Sequence, residues 1–283
     1  MSVKIISDST CDLSPELIAK YGIHIVPLHI VLGDKEFADG ASITPDEIYE
    51  WSDANKATPK TSALGLEEAV EVFKPMLADG SELVCFSISG TMSTTCNVMR
   101  LAAQDLDAAD RIFVIDSENL STGIGLQVLE AAEMAAAGKS GAEIAAHIEA
   151  IRPKVRASFV VDTLTYLHRG GRCGGLAALA GAVLKLHPRI AVVDGKMGAG
   201  KKYRGVMKKV ILEYAKDMEA ELLDAESKRV FITHSGCEDS VIAEVKAYLE
   251  SLNYFDEILI TRAGCVVSSH CGPGTLGVLF IAK

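Results

Sequence analysis

The sequence predicts an α/β protein built from two α/β domains, the first with a mainly parallel sheet flanked by helices and the second with a mixed sheet and helices. Short apolar runs alternate with segments of helical length along the chain, a pattern typical of strands joined by helical crossovers. With 283 residues, 49% of them hydrophobic, the chain is long enough to bury a large core. A helical segment ends near Pro153 and β structure resumes at Ser158, so the predicted domains are 1–157 and 158–283.

Three apolar runs in the first half predict the strands of the parallel sheet, at Val3–Ile6, Leu83–Phe86 and Ile112–Ile115. A segment of helical length follows each of them. Capping residues mark three helix starts, because a Ser, Thr or Asp before the first turn can accept from its free amides. These predicted caps are Ser14 before Pro15, Thr44 with Glu47, and Ser140 with Glu143.

A β-rich stretch lies between the first two strand-helix units. The run Ile23–Leu32 is followed by Gly33-Asp34, which predicts a hairpin excursion near residues 23–40. Pro27 has no amide hydrogen to donate within a sheet, so it favours an edge or bulge position.

The second half carries further apolar runs that predict strands. They are Ser158–Val161, Ile190–Val193, Val230–Thr233, Ile258–Thr261 and Val278–Ala282. The glycine-rich segment Gly195–Lys202 resembles a phosphate-binding loop, but Lys202 stands where that motif needs Ser or Thr. Asp194-Gly195 after a strand is a hairpin signal, so a hairpin is predicted here.

Composition argues against several classes of protein. The formal net charge is −10 and no long basic block occurs, which disfavours nucleic-acid binding. No apolar run approaches the roughly 20 residues of a membrane-spanning helix, and the N-terminus lacks the features of a secretion signal. We therefore expect no stable membrane insertion and a cytoplasmic location. Seven cysteines without a C-x-x-C pair predict mostly buried thiols, with Cys265–Val267 interpreted as strand-like.

Hydroxyl-rich turns are the most informative functional feature. Thr61-Ser62, Ser89-Gly90-Thr91 and the Gly/Pro-rich segment around His270 offer neutral donors and one imidazole. Paired carboxylates and metal-ligand spacing do not accompany them, so no cofactor and no catalytic residue is expected. Ser89–Thr91 is predicted to open a helix from Met92, where free amides favour an anion. His270 is predicted to lie in an irregular loop. Together these residues predict a site that holds an anion.

Other classes of function stay open at this point. Asp8 follows the first strand, where a phosphatase-like hydrolase would place its nucleophile. A nucleotide-dependent transferase would use the Gly195 loop. The same pocket would also suit a lipid sensor that acts on a partner protein.

Six segments in order along nearly the whole chain resemble the DegV family of bacterial fatty-acid-binding proteins, the lipid-carrying subunits of fatty acid kinase. They are Ser7–Leu13, Val26–Leu28 with Gly33-Asp34, Lys60–Ser62, Ser89–Thr91, Arg169–Arg172 and His270–Gly274. The resemblance implies two α/β domains with a long-chain fatty acid buried between or beneath them.

The resemblance also implies a set of site residues. The fatty-acid carboxylate would be held by Thr61, Ser62, Ser89, Gly90, Thr91 and His270. A separate ATP-dependent kinase would make the acyl phosphate, so this chain would not itself be an enzyme. The kinase subunit would dock on a basic face that we predict at Arg169, Arg172 and Arg204.

Overall fold

The computed structural model describes residues 2–171 and 186–283, which form three sheets surrounded by helices. The strands are β1 (Val3–Asp8), β2 (His24–Val26), β3 (His29–Leu32), β4 (Lys35–Ala38), β5 (Lys60–Ser62), β6 (Glu82–Ser87), β7 (Ile112–Asp116), β8 (Val155–Val160), β9 (Leu186–Val193), β10 (Lys196–Arg204), β11 (Ala225–Ser235), β12 (Glu257–Arg262) and β13 (Thr275–Ala282). The α-helices are α1 (Pro15–Tyr21), α2 (Pro45–Asn55), α3 (Leu66–Met76), α4 (Thr95–Asp105), α5 (Thr122–Ala136), α6 (Gly141–Ile151), α7 (Thr165–Arg169), α8 (Met207–Asp217), α9 (Glu219–Leu223), α10 (Asp239–Ser251) and α11 (Cys265–Cys271).

The first half contains the predicted parallel sheet. Its strand order is β2-β1-β6-β7, and every pair in it is parallel. Ile5 lies opposite Val84, and Val84 lies opposite Phe113. The three predicted strands are therefore confirmed, and their carboxyl ends share one edge of the sheet.

A small antiparallel sheet stands beside it, in the order β4-β3-β5. The predicted hairpin is formed by β3 and β4 and turns at Gly33-Asp34, with Gly33 at φ +62°. Pro27 falls in the connection between β2 and β3, as expected for a residue without an amide hydrogen. In this sheet Thr61 pairs with Ile30, which fixes β5 in place.

The second half forms a six-stranded mixed sheet in the order β10-β9-β8-β13-β11-β12. β9 and β10 are antiparallel neighbours, with Lys196 opposite Val193 across the turn at Asp194-Gly195. The glycine-rich segment is therefore the predicted hairpin, with no phosphate-binding loop there.

The largest core lies between the parallel sheet and the mixed sheet, around α5. This helix contacts β1 and β6 on one side and β8 and β13 on the other. Ile124 of α5 shares one buried cluster with Phe86 and Phe231 from the two sheets. The predicted boundary at residue 157 falls inside β8, and the division into 1–157 and 158–283 stays a prediction.

Local signals placed the helix starts well. Thr44 with Glu47 and Ser140 with Glu143 form complete capping boxes, and the Ser14 hydroxyl accepts from the Leu17 amide. Five of the six described cysteines are buried free thiols, while Cys237 is half-buried. Within residues 2–171 and 186–283, no helix has the length and apolar character needed to span a membrane.

Candidate ligand-binding site

A largely apolar cavity opens where the two halves of the chain meet. It holds about 580 Å³ of empty space, counting its opening to solvent. Its described lining comes from β5, β10, α7, α11 and the segments that connect strands and helices: Leu28, Thr61, Ser62, Ala63, Ile88, Met92, Ser93, Leu120, Leu167, Met197, Val266, Val267, His270 and Cys271. The loops after β6 and β7 border it, so it lies at the carboxyl edge of the parallel sheet, where open α/β sheets bind ligands.

Four polar side chains, Thr61, Ser62, Ser93 and His270, line this cavity. Thr61 Oγ1 and His270 Nε2 lie 2.9 Å apart, a hydrogen bond in which the tautomer decides which atom donates. Ser62 and Ser93 line the same cavity. The apolar cavity therefore has hydroxyls and one imidazole in its lining, and Thr61, Ser62 and His270 are among these residues.

His270 lies on a helix, which corrects the predicted irregular loop. It occupies the penultimate position of α11, and the loop begins only at Gly272, with φ +74°. Cys265–Val267, interpreted as strand-like from sequence, forms the first turn of the same helix. His270 therefore projects from a regular element whose first turn also supplies Val266 and Val267 to the cavity.

The N-terminus of α11 is held by two aspartates from the first half of the chain. Asp12 Oδ1 accepts from the Gly264 amide at 2.8 Å, and Asp39 Oδ1 accepts from the Cys265 amide at 2.7 Å. Carboxylates at this position satisfy free amides and the positive end of the helix. Burial raises the pKa of Asp12 to about 8 and also raises the pKa of Asp39.

Ser89 and Thr91 contact the β9–β10 turn. The Ser89 hydroxyl donates to the Gly195 carbonyl at 2.8 Å, and the Thr91 hydroxyl donates to the same oxygen. Neither residue belongs to the described lining of the cavity, although Ile88, Met92 and Ser93 do. In this structure the two side chains anchor a hairpin whose next residues include Met197, a wall of the cavity.

The Gly90 amide holds a carboxylate of the chain itself. It donates to Asp116 Oδ1 and Oδ2, both at 3.1 Å, and a Cβ at position 90 would lie 2.6 Å from Oδ2. The helix predicted from Met92 begins later, because α4 starts at Thr95. In this structure the Gly90 amide therefore faces the Asp116 carboxylate at the end of β7.

Asp8 holds a residue of the cavity wall in place and is not available as a nucleophile. It is fully buried, and its oxygens accept from the Thr10 amide, the Thr10 hydroxyl and the Ile88 amide. Burial raises its pKa to about 6. The Ile88 contact, at 2.8 Å, fixes a residue that lines the cavity. This geometry disfavours the phosphatase-like alternative.

A second, smaller cavity adjoins the first. It holds about 320 Å³ of empty space and is bordered by residues that include Phe159 and Leu279 of the mixed sheet. Leu120, Val267 and Cys271 line both cavities. Three side chains thus separate two apolar spaces, and together the spaces extend from Thr61 toward the mixed sheet.

Sequence reasoning missed two kinds of lining residue. Ser93 was outside the Ser-Gly-Thr motif, and the signal that could have found it is its position one turn after Ser89. Met197 lies on β10, within a segment predicted as a hairpin and not assigned to the ligand site. No local pattern relates it to Thr61, because only the hairpin brings β10 to the cavity.

Two of the three predicted docking residues lie within the part of the chain that the structure describes. Arg169 ends α7 and Arg204 ends β10, and both are exposed. Arg172 lies outside the described residues. Within the described ranges, no group of three or more His, Cys, Asp or Glu side chains could hold a metal ion.

Comparison with known proteins agrees with the fold and the cavity. A family model described as "Uncharacterised protein, DegV family" matches residues 2–283. The chain belongs to the DegV family. A DegV domain-containing protein of Deinococcus radiodurans is 36% identical over 279 residues, which cover 98% of each chain.

Solved DegV structures superpose over the whole chain. A DegV family protein from Thermus thermophilus, described as binding fatty acid, has a TM-score of 0.91 and 33% identity and covers 100% of both chains. A stearic-acid-binding protein from Eubacterium ventriosum has a TM-score of 0.85 and 31% identity, covering 99% of this chain and 98% of that one. The α/β class with a parallel and a mixed sheet is thereby confirmed, and these two similar proteins bind fatty acids.

Proposed function

We propose that this chain binds a long-chain fatty acid in the cavity and holds its carboxylate with Thr61, Ser62 and His270. The observation that carries the proposal is the apolar cavity with Thr61 and His270 hydrogen-bonded to each other at one part of its wall. The Thermus and Eubacterium proteins similar to this chain, which are fatty-acid-binding, support the same ligand class.

The apolar walls and the polar side chains of the cavity have different roles, because a fatty acid is amphipathic. Burying about 15 methylenes at about 0.8 kcal/mol each contributes about 12 kcal/mol of favourable binding free energy, before the entropic cost of ordering the ligand and the side chains around it. A carboxylate moved into apolar surroundings costs several kcal/mol unless its oxygens accept hydrogen bonds. The apolar walls therefore supply affinity, and the hydroxyls with the imidazole orient the acid.

In this proposal Ser89, Gly90 and Thr91 support the structure around the cavity. Their hydrogen-bonding groups hold Gly195 and Asp116, which positions the hairpin that carries Met197. Ser93, which lines the cavity, is the further hydroxyl that we add to the head-group set. The direct contact of Ser89–Thr91 with the carboxylate, which the resemblance implies, stays a prediction.

Native mass spectrometry of the purified protein tests the binding function. We expect a long-chain fatty acid to copurify with the protein, and Thr61→Val to reduce its occupancy strongly because the hydroxyl is lost while the shape is kept. Thr58→Val is the matched control, since the half-buried Thr58 hydroxyl has no hydrogen-bond partner among the described residues and Thr58 does not line the cavity. A protein that carries no acid, or equal occupancy in both variants, would contradict the proposal.

We further propose that the loaded protein presents its acid to a separate ATP-dependent kinase, which docks at Arg169, Arg172 and Arg204. The exposed positions of Arg169 and Arg204 at the ends of α7 and β10 support this surface. Acyl phosphate can be trapped as a hydroxamate when loaded protein, kinase subunit and ATP are combined. A sensor without acyl transfer would yield no hydroxamate, and this outcome separates the two functions.

A further inference from the structure

Two helices that line the cavity, α7 and α11, approach each other through glycines. Gly170, just after α7, lies against the His270 ring of α11, while Gly272, just after α11, lies against the Tyr166 ring of α7. A Cβ built on Gly272 would be 2.4 Å from Tyr166 Cδ2. Each helix thus receives an aromatic ring from the other at a position where a side chain would not fit.

Gly170 is the informative member of this pair. A Cβ at position 170 would be 2.2 Å from His270 Nδ1 and 2.8 Å from Cε1, distances that van der Waals repulsion forbids. Its backbone, at φ −73° and ψ −5°, is one that any residue adopts. Space for the imidazole, and not backbone conformation, therefore requires glycine here. Gly272, at φ +74°, would be strained by any side chain and cannot separate the two causes.

The imidazole is consequently bounded on two sides. Thr61 of β5 lies at its Nε2 edge, and Gly170 lies at its Nδ1 edge. A displacement away from Gly170 would move Nε2 relative to Thr61 and to the cavity. α7 also contributes Leu167 to the cavity wall, so the element that bounds the imidazole is part of the same site.

We infer that Gly170 is a positioning residue for the acid head group: its missing side chain fixes where the His270 imidazole stands beside Thr61. This inference rests on the proposed function, because it assumes that His270 contacts the carboxylate. It adds a role for a residue that contacts the imidazole without itself being a ligand to the acid. The expected consequence of a side chain at this position is loss of selectivity for the acid over an uncharged analogue of equal length.

The test compares stearate with octadecanol, which share a tail and differ in the head group. For Gly170→Ala we expect the preference for stearate to fall about tenfold to a hundredfold, the usual effect of losing one hydrogen bond to a charged group. Octadecanol affinity should change little. Gly198→Ala is the matched control, because position 198 is exposed and a Cβ there meets nothing within 4 Å.

His270→Ala completes the cycle and separates the two proposals. If the single His270→Ala variant keeps the full preference for stearate, the head-group role of His270 is wrong and the inference about Gly170 is overturned with it. If His270→Ala loses the preference but Gly170→Ala keeps it, only the inference about Gly170 is overturned. If both single variants lose the preference, equal preferences in His270→Ala and in the double variant support the inference, because the effect of the new side chain then acts only through the imidazole.

Folding of the single variant does not limit the test. Should Gly170→Ala fail to fold, the double variant with His270→Ala removes the overlap and is expected to recover the folded state, measured by circular dichroism. Recovery supports the steric contact. Failure to recover would place the defect elsewhere in the backbone and overturn the inference.

Discussion

Two hydroxyls that converge on one backbone carbonyl give a quantitative test of what the Ser-Gly-Thr segment does. Ser89 and Thr91 both donate to the carbonyl of Gly195, and Gly195 is buried in the β9–β10 turn. Ser89→Ala or Thr91→Val removes one donor and leaves the other. The two changes together remove both donors from a buried acceptor.

The expected magnitudes differ between the single and double variants. Losing one of two hydrogen bonds to the carbonyl should lower the free energy of unfolding by about 1 kcal/mol. Losing both adds the penalty of a buried acceptor without these donors, itself about 1–3 kcal/mol. The double variant should therefore lose about 3 kcal/mol or more, exceeding the sum of the singles, as expected for residues that share a partner.

Urea unfolding monitored by circular dichroism measures the stabilities, and hydrogen exchange locates the effect. Faster exchange is expected in the amides of β9 and β10. Ser62→Ala is the control, because Ser62 lines the cavity and is exposed, so it should alter stearate binding with little change in stability. A double variant within about 0.5 kcal/mol of the parent would refute the anchoring role. A Ser89→Ala protein of full stability that no longer prefers stearate to octadecanol would instead restore Ser89 as a direct ligand.

Three further predictions concern the cap of α11, the space proposed for the acyl tail, and the proposed kinase-docking surface. Burial raises the pKa of Asp12 to about 8, so the folded protein binds this proton more tightly than the unfolded chain does. The free energy of unfolding should therefore fall as pH rises toward 8. Asp12→Asn should flatten this pH profile, measured in unfolding experiments from pH 5 to 8.5. Leu120 lines both cavities, so Leu120→Phe should reduce the apolar volume open to the tail and shift binding in competition assays from stearate to laurate, at about 0.8 kcal/mol per excluded methylene. The exposed Leu101→Phe is its control. Arg204→Glu should slow kinase-coupled hydroxamate formation at least tenfold with unchanged stearate affinity, whereas exposed Lys74→Glu should not.

Elements with strong local signals could be predicted from the sequence. Apolar runs bounded by turns placed β1, β6 and β7, and capping boxes placed the starts of α2 and α6. Asp194-Gly195 predicted the β9–β10 hairpin because two-residue turns have a specific chemistry. Thr61, Ser62 and His270 were grouped by resemblance, and the structure brings all three to one cavity.

The strand-like interpretation of Cys265–Val267 is wrong, and contacts between distant residues explain why. Cys265–Val267 carries two β-branched valines, which favour a strand, yet α11 forms because Asp12 and Asp39 accept from its first amides. The Ser-Gly-Thr segment has the composition of an anion site at a helix N-terminus. Only the fold shows that the carbonyl of Gly195 and the carboxylate of Asp116 already occupy its donors.

The position of His270 emerges from constraints at both ends of one short helix. At its start, α11 is held by carboxylates of Asp12 and Asp39, which follow strands of the first half of the chain. At its end, Gly170 bounds the imidazole. Since Thr61 belongs to a third element, the proposed head-group site forms only when these segments, far apart in sequence, are packed together. A ligand that requires this arrangement binds the folded state alone, so saturating stearate at a hundred times its Kd should raise the free energy of unfolding by about 2.7 kcal/mol. The same excess over Kd of octadecanol should give an equal increase, because the increase depends only on the ratio of free ligand to Kd.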